Sequence, residues 1–263
     1  MITIKSRREF AKMAKAGSVV SKVHEAVREA ARPGVSLGEL DEIGARIIAA
    51  DGCTPSFLGY LGYPKNLCLS PNDVIVHGIP GDYRLREGDI LSVDAGAIFE
   101  GFHGDAAFTM GIGEISHEAR DLIVTTEEAM WAGIRAIRRG ARLGDVGSAI
   151  HKVGGAAGYG VVEEYVGHGI GRQMHEEPQV PNYGTPGKGM KLRTGMALCV
   201  EPMFNLGKRH TKVDADGWTV RTADGSLSAH WEHTVALTPD GSWVFTAGDE
   251  PLQVEFEEAE AHS

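Results

Sequence analysis

Cysteine and long apolar stretches are scarce in this sequence. Three cysteines, Cys53, Cys68 and Cys199, occur in 263 residues, and no two of them form a Cys-x-x-Cys pair. This scarcity excludes a disulfide scaffold and a thiolate zinc cluster, and it is typical of proteins in a reducing cytoplasm. No apolar run reaches the about 18 residues that a membrane-spanning helix requires, and Met1–Arg8 lack a secretory signal pattern. The sequence therefore predicts a cytoplasmic protein without a membrane segment.

Positive charge is also in short supply, because 26 Lys and Arg stand against 36 Asp and Glu, a formal net charge of −10. This balance argues against broad nucleic-acid binding. The chain has neither a His-Glu-x-x-His motif nor a Walker loop, so it lacks the signatures of common single-zinc peptidases and of P-loop NTPases. With 42% hydrophobic and 24% charged residues, intrinsic disorder is excluded for the chain as a whole.

Apolar residues at three- and four-residue spacing predict three helices. The capping-box patterns Ser6–Glu9 and Ser36–Glu39 predict where the first two helices begin. These helices are expected to end at Pro33 and Asp51, and the third to run from about 116 to 139. Short β-like runs lie between and after the helices: Val74–Val76, Ile90–Val93, Ala106–Met110, Ala197–Val200, Thr219–Thr222 and His233–Leu237.

Two pairs of segments suggest an internal duplication. Gly34–Leu40 resembles Gly140–Val146 at an offset of 106, and Leu85–Val93 resembles Leu192–Val200 at an offset of 107. The near-equal offsets favour a duplicated unit of two helices plus strands, although short glycine motifs also recur by chance in a chain with 35 glycines. The expected product is a pseudo-two-fold α+β domain with one shared core. Equivalent strands of the two copies would each deliver a carboxylate to a central site.

Asp94 and Asp105 flank a predicted hairpin turn at Glu100–Gly101. We expect Asp94 to end one strand and Asp105 to begin the next, so that the two carboxylates face each other. Burial of such a pair would raise at least one pKa, and a cation between the side chains would remove the repulsion. The alternative is a solvated hairpin with two turn-capping aspartates.

Three further segments carry candidate ligands. His168 and His175 lie in the glycine-rich segment 167–178, whereas Glu201 and Glu232 are adjacent to apolar or aromatic residues. Each of these glutamates could instead pair with a nearby arginine. Together with the two aspartates, the glutamates carry four negative charges, which two divalent ions would neutralise. Oxygen-rich ligands with one imidazole are compatible with Mn, Fe, Co or Zn.

The motifs in their joint order resemble those of a type I methionine aminopeptidase, short bacterial form, along about residues 4–246. The segments that carry this resemblance are Tyr63–Cys68, Asn72–Pro80, Gly101–Asp105, Gly167–Gly171, His175–Pro178, Glu201–Met203 and Glu232–Thr234. The resemblance implies the pita-bread fold, a duplicated α+β unit with a central curved antiparallel sheet flanked by helices. It also implies hydrolytic removal of the initiator methionine from nascent proteins, with a small residue preferred at the second position.

The resemblance also implies roles for individual residues. The metal ligands would be Asp94, Asp105, His168, Glu201 and Glu232, holding two ions of Co, Mn, Fe or Zn. A hydroxide bridging these ions would attack the scissile carbonyl, with Glu201 as general base. His175 would donate to the carbonyl oxygen, and His77 would contact the peptide nitrogen or the following side chain.

The implied methionine pocket matches the family less completely. Its positions are Phe57, Tyr60, Tyr63, Cys68, Met174 and Trp218. Many bacterial relatives have Cys where Phe57 stands and Phe where Met174 stands; both changes keep an apolar lining that suits a thioether. The family also implies a monovalent-cation site at Asn72, Val74 and Ser228.

The remaining expectations concern organisation and partners. We expect one catalytic domain over 1–250, a flexible tail over 251–263, and a monomer. The basic segment Lys208–Arg221 suggests a salt-sensitive contact with ribosomal RNA near the exit tunnel, whereas most such clusters are solvated hairpins. The alternatives in function are an Xaa-Pro peptidase and a non-catalytic pita-bread protein that binds ribosomes or RNA.

Overall fold

A computed structural model describes residues 2–254. Its helices are α1 (Arg7–Ala30), α2 (Leu37–Ala50), α3 (His117–Ala136) and α4 (Leu143–Ala157). The capping boxes predicted at Ser6 and Ser36 are confirmed, because each hydroxyl accepts from the backbone N–H of the glutamate three residues later. The third helix ends at Ala136, three residues before the predicted end, because Ile137 has extended backbone angles.

The strands form one large sheet and two small ones. They are β1 (Thr54–Pro55), β2 (Leu67–Pro71), β3 (Val74–Val76), β4 (Ile90–Phe99), β5 (Phe102–Gly111), β6 (Gly160–Val161), β7 (Gly167–Gly169), β8 (Glu176–Val180), β9 (Ala197–Val200), β10 (Met203–Asn205), β11 (Thr211–Val213), β12 (Val220–Thr222), β13 (Ser228–His230), β14 (Glu232–Thr238), β15 (Gly241–Val244) and β16 (Leu252–Gln253). The large sheet has the order β1-β4-β5-β14-β9-β7-β8, with β2 paired to β4 and β15 to β14. The small sheets are β13-β10-β6 and β11-β12-β3.

The predicted duplication is present in the backbone pairing. Ser36 forms an isolated β-bridge with Arg84, and Arg142, at the equivalent place in the second copy, forms one with Lys191. In both copies the segment before the second helix is thereby joined to the segment before a central strand, β4 or β9. The helices α1 and α2 cover the first half of the sheet and α3 and α4 the second. Strand β4, which carries Asp94, and strand β9, which Glu201 directly follows, therefore occupy equivalent central positions.

The β4–β5 hairpin is longer than predicted. Glu100 and Gly101 form the expected turn, and both have positive φ (47° and 78°), as a two-residue hairpin turn requires. Pairing continues from Phe99↔Phe102 at the turn to Ile90↔Gly111 at the far end. The prediction that Asp94 ends a strand and Asp105 begins the next is therefore wrong, because both lie inside ten-residue strands.

The last described residues take part in the fold. Leu252 and Gln253 form β16, which pairs with Val244 and Trp243 of β15, and Val254 is buried. Residues 255–263 of the predicted tail lie outside the described residues, and the domain boundary at 250 stays a prediction. Within 2–254, no helix combines the length and apolar character needed to cross a membrane.

Candidate metal centre

Three carboxylates lie on one face of the large sheet. Asp94 of β4 is opposite Ala107 of β5, and Ala107 is in turn opposite Glu232 of β14. Asp105 is opposite Gly96, two residues further along the same hairpin. Because side chains two residues apart on a strand point to the same face, Asp94, Asp105 and Glu232 converge. The aspartates thus meet diagonally across the ladder rather than directly opposite each other.

His168 and Glu201 come from the second half of the sheet. His168 is in the middle of β7, and Glu201 directly follows β9. The Nε2 atom of His168 lies 3.4 Å from Oε1 of Glu201. Its Nδ1 atom is 2.9 Å from the carbonyl oxygen of Gly169; since a carbonyl only accepts, Nδ1 carries the proton. The lone pair of Nε2 therefore points into the site, as a metal ligand requires.

Burial is the main electrostatic feature of the four carboxylates. It raises the pKa of Asp105 to about 7 and the pKa values of Asp94, Glu201 and Glu232 well above their usual range, with repulsion from neighbouring carboxylates adding to the shift of the latter three. One buried oxygen of each has no hydrogen-bond partner among the described residues. Buried acceptors left without partners are costly. Divalent cations would satisfy all four, so this donor set fits a metal centre.

Two groups of side chains have donor atoms close enough to share an ion. One is Asp105, His168, Cys199 and Glu232, and the other is Glu201, His230 and Glu232; within each group the donor atoms lie within 4.8 Å of one another. Burial and the nearby carboxylates raise the pKa of the Cys199 thiol well above its usual value. This shift favours the neutral thiol form of Cys199 in the metal-free protein.

Besides Cys199, the sequence analysis missed one more member of these groups, His230. It lies two residues before Glu232, and this spacing was the available signal. A histidine near a glutamate is too common to be informative until its burial is known. In the structure the side chain is 2% exposed.

His175 and His77 lie beside the metal ligands. The His175 ring is 4.2 Å from the His168 ring, measured between centroids, and its Nδ1 is 2.8 Å from the Tyr60 hydroxyl. His77 has a positive φ of 60°, and its ring faces Tyr165 and Trp218. Burial lowers the pKa of His175 and lowers that of His77 to about 4. At neutral pH both imidazoles are uncharged, and each can donate one hydrogen bond.

An apolar pocket of about 220 Å³ opens beside these residues. Its lining includes the four carboxylates and brings together all six positions of the implied methionine pocket: Phe57, Tyr60, Tyr63, Cys68, Met174 and Trp218. The Tyr63 hydroxyl is held by the protein itself, since it donates toward the carbonyl oxygens of Leu67 and Gly78. The sequence analysis missed Leu61 and Tyr165, which also line the pocket.

Two further sites were predicted, one for a monovalent cation and one for ribosomal RNA. Asn72 and Ser228 are joined by a backbone hydrogen bond of 2.9 Å, and Val74 begins the adjacent strand β3. The basic segment 208–221 forms the hairpin of β11 and β12. Within it Arg221 pairs with Asp73 and Asp214, and Arg209 contacts Glu163.

The chain is similar in sequence to known metallopeptidases. The sequence model described as "Metallopeptidase family M24" matches residues 11–239. The chain belongs to family M24. This M24 chain is 48% identical over 246 residues to a methionine aminopeptidase of Clostridium perfringens, covering 94% of the chain and 99% of that protein. It is 49% identical over 251 residues to methionine aminopeptidase 1 of Mycobacterium tuberculosis, covering 93% and 94%.

Solved structures agree with the sequence relatives. A methionine aminopeptidase of Thermotoga maritima superposes on this M24 chain with a TM-score of 0.92 at 42% identity, covering 94% of the chain and 99% of that structure. A prolidase of Pyrococcus furiosus has a TM-score of 0.75 at 22% identity and is longer, since the match covers 65% of it; that likeness shows the fold alone. The α+β class, the pita-bread fold and the resemblance to methionine aminopeptidases are confirmed.

Proposed function

We propose that this M24 chain removes the initiator methionine from nascent proteins whose second residue is small. The observation that carries the proposal is the position of the four carboxylates, each with a buried oxygen that has no hydrogen-bond partner among residues 2–254. They line the same pocket as Phe57, Cys68 and Met174. The pocket volume of about 220 Å³ suits one side chain, and its sulfur and aromatic lining suits a thioether. Hydrolytic groups therefore meet a site for methionine.

The predicted ligands would hold two divalent ions of Co, Mn, Fe or Zn, which when bound supply Lewis-acid activation of water and of the scissile carbonyl. Glu201 accepts the proton of the attacking water and passes it to the departing amine. Its carboxylate suits this role because it lines the pocket and has a buried oxygen without a hydrogen-bond partner among residues 2–254.

His175 and His77 act on the substrate rather than on the water. Tyr60 orients His175 through its Nδ1 atom, at 2.8 Å, which leaves Nε2 available toward the carbonyl oxygen. An uncharged imidazole that donates there stabilises the oxyanion that develops as water adds. His77 lines the same pocket, next to Trp218, where it contacts the peptide nitrogen or the second side chain.

The test is hydrolysis of Met-Ala-Ser by metal-stripped protein with Co or Mn added back. We expect metal-dependent release of Met, and no release from an Xaa-Pro peptide. The variant Glu201→Gln should lose about 100-fold or more of the rate, whereas Glu42→Gln, an exposed carboxylate on α2, should keep it. Cleavage of the Xaa-Pro peptide alone would replace the proposal by the prolidase alternative, and binding of metal without cleavage would favour the non-catalytic one.

The proposal also includes a contact with the ribosome and a bound monovalent cation. Lys208, Arg209 and Lys212 are exposed, and they would supply a sequence-independent contact with ribosomal RNA. Their joint replacement by Ala should weaken ribosome binding and its salt dependence; unchanged affinity would remove this part. A monovalent cation at Asn72, Val74 and Ser228, a monomeric state and a cytoplasmic location complete it.

A further inference from the structure

His230 is buried at the centre of the candidate metal site but has no role in the ligand set implied by the resemblance. Its Nε2 atom lies 3.8 Å from Oε2 of Glu201 and 4.0 Å from Oε2 of Glu232. This atom has no hydrogen-bond partner among residues 2–254. Both distances exceed the about 3.2 Å limit of an ordinary N–H···O hydrogen bond. A polar atom is thus aimed at two carboxylates without bonding either.

The backbone of His230 is held on both sides. The Thr109 hydroxyl accepts from the His230 N–H at 2.9 Å and donates to the His230 carbonyl oxygen at 2.8 Å. On the other side, β13 pairs with β10, where His230 is opposite Met203. The imidazole therefore starts from a fixed backbone position, which is the condition for a ligand arranged before its ion arrives.

The distances fit a shared ion. Nitrogen and oxygen ligands lie about 2.0–2.2 Å from a divalent ion such as zinc, so two donors of one ion are about 3.3–3.6 Å apart in a tetrahedral site and at most about 4.0–4.4 Å apart when they lie on opposite sides of the ion. The contact between His168 and Glu201, at 3.4 Å, lies within this limit, as do the contacts of His230 at 3.8 and 4.0 Å. Glu201 thus presents Oε1 to one imidazole and Oε2 to another.

We propose that Nε2 of His230 is a further metal ligand, bound to the divalent ion that Glu201 and Glu232 contact. The inference rests on the proposed function, because it concerns the same metal centre. It raises the number of imidazole donors in the centre from one to two. Imidazole suits zinc and iron, whereas carboxylate suits manganese, so His230 shifts the preference of the site toward zinc or iron.

The test is metal binding by folded, metal-stripped protein, with cobalt, zinc and manganese as probes. X-ray absorption spectroscopy counts the imidazole ligands per bound ion, and competition with a chelator gives the affinity. We expect His230→Gln to bind the ion 10–100-fold more weakly, an effect of the order seen when a metal site loses a supporting group, and to lose one imidazole. His24→Gln is the matched control, because His24 is also buried, also has a partnerless Nε2, and packs on Phe108, on the opposite face of β5.

Two results would overturn the inference. One is an equal imidazole count in the wild type and in His230→Gln, whatever the affinity; a weaker affinity with an equal count would mean that His230 only hydrogen-bonds to Glu201. The other is an unchanged affinity with an unchanged zinc-to-manganese preference. Failure of the proposed function has a different signature, since the wild type would then bind metal without releasing Met, or bind none.

Discussion

Tyr60 and His175 form the contact at the residue scale that most directly orients a proposed catalytic group. The hydroxyl of Tyr60 lies 2.8 Å from Nδ1 of His175, and the two rings are in contact. A neutral imidazole has one donor and one acceptor nitrogen, and the partner of one nitrogen decides the state of the other. If the Tyr60 hydroxyl donates to Nδ1, the proton of His175 is placed on Nε2, where a substrate oxygen could accept it.

Tyr60→Phe is expected to lower kcat about 10-fold, because it removes the hydroxyl and leaves the ring in the pocket. The affinity for divalent metal should not change, since Tyr60 touches no ligand. Steady-state kinetics on Met-Ala-Ser beside a metal titration separates the two effects. An unchanged kcat would show that His175 does not need this hydrogen bond.

The sequence predicted individual site residues where a charged side chain is adjacent to apolar residues. Asp94 follows an apolar strand and Glu201 is adjacent to apolar residues, so each carboxylate was recognisable as a buried acid in need of a partner. The sequence did not identify His230 as a site residue, because an imidazole is compatible with both the core and the surface. Its significance depends on a burial and on distances to Glu201 and Glu232 that only the fold supplies.

At the scale of elements, the seam between β5 and β14 is short and is completed by side chains. These strands pair only through Glu232↔Ala107 and His233↔Ala106. At one end the Thr234 hydroxyl bonds the N–H of Asp105 at 3.0 Å and its carbonyl oxygen at 2.7 Å. At the other end Thr109 bonds His230 in the same manner. Two threonines, one from each half, thus replace backbone pairing where the site residues lie.

Thr234→Val should destabilise the fold by about 1–3 kcal/mol, because both backbone groups of Asp105 lose their partner in a buried place. Thr234→Ser keeps the hydroxyl and should recover most of this loss. Denaturant unfolding measures the effect, and Thr126→Val is the control, since its hydroxyl bonds only Leu122 within α3. A Val variant as stable as the wild type would mean that water replaces the hydroxyl.

Element boundaries were predictable where local chemistry determines them. The capping boxes at Ser6 and Ser36 marked the helix starts, and Glu100–Gly101 marked the hairpin turn. The lengths of β4 and β5 were not predictable from the sequence, because pairing beyond Val93 depends on the partner strand rather than on local propensity. The displacement of Asp94 and Asp105 from the strand ends to the strand interiors is the result.

The whole molecule joins two similar halves around a centre in which burial disfavours four ionised carboxylates. Burial raises the pKa of Asp105 to about 7 and those of the other three carboxylates well above their usual range. Burial also lowers the pKa values of six histidines from 6.5 to about 3 or 4: His24, His77, His103, His168, His230 and His233. The two sets affect stability in opposite directions.

The metal-free protein should lose stability as pH rises from 6.5 to about 8.5. In this window the folded chain retains protons on the site carboxylates that the unfolded chain has already released, and each such proton changes stability by about 1.4 kcal/mol per pH unit. The histidines contribute below pH 6.5, where stability falls as pH falls, because only the unfolded chain takes up their protons.

Unfolding in denaturant at the two pH values, with and without zinc or manganese, measures this dependence. Bound metal keeps the carboxylates ionised and should remove the loss at the higher pH. A metal-free protein that is equally stable at both values would contradict the account of the buried carboxylates.

The duplication was the property of the whole molecule that the sequence predicted best. Of the segments that repeat at offsets of 106 and 107, the first pair contains Ser36 and Arg142. These two residues form equivalent isolated β-bridges in the structure. The way in which the halves meet was not predictable, because the seam uses Thr109 and Thr234, whose pairing partners lie more than 100 residues away.

The measurement that tests the central claim most directly is a titration of metal-stripped protein with cobalt, in which bound ions and released Met are recorded together. Release of Met from Met-Ala-Ser should rise with the number of bound cobalt ions and saturate at two ions per chain. Glu201→Gln should bind metal more weakly and release almost no Met at saturation. Release of Met at the full rate by protein that holds no metal would contradict the account.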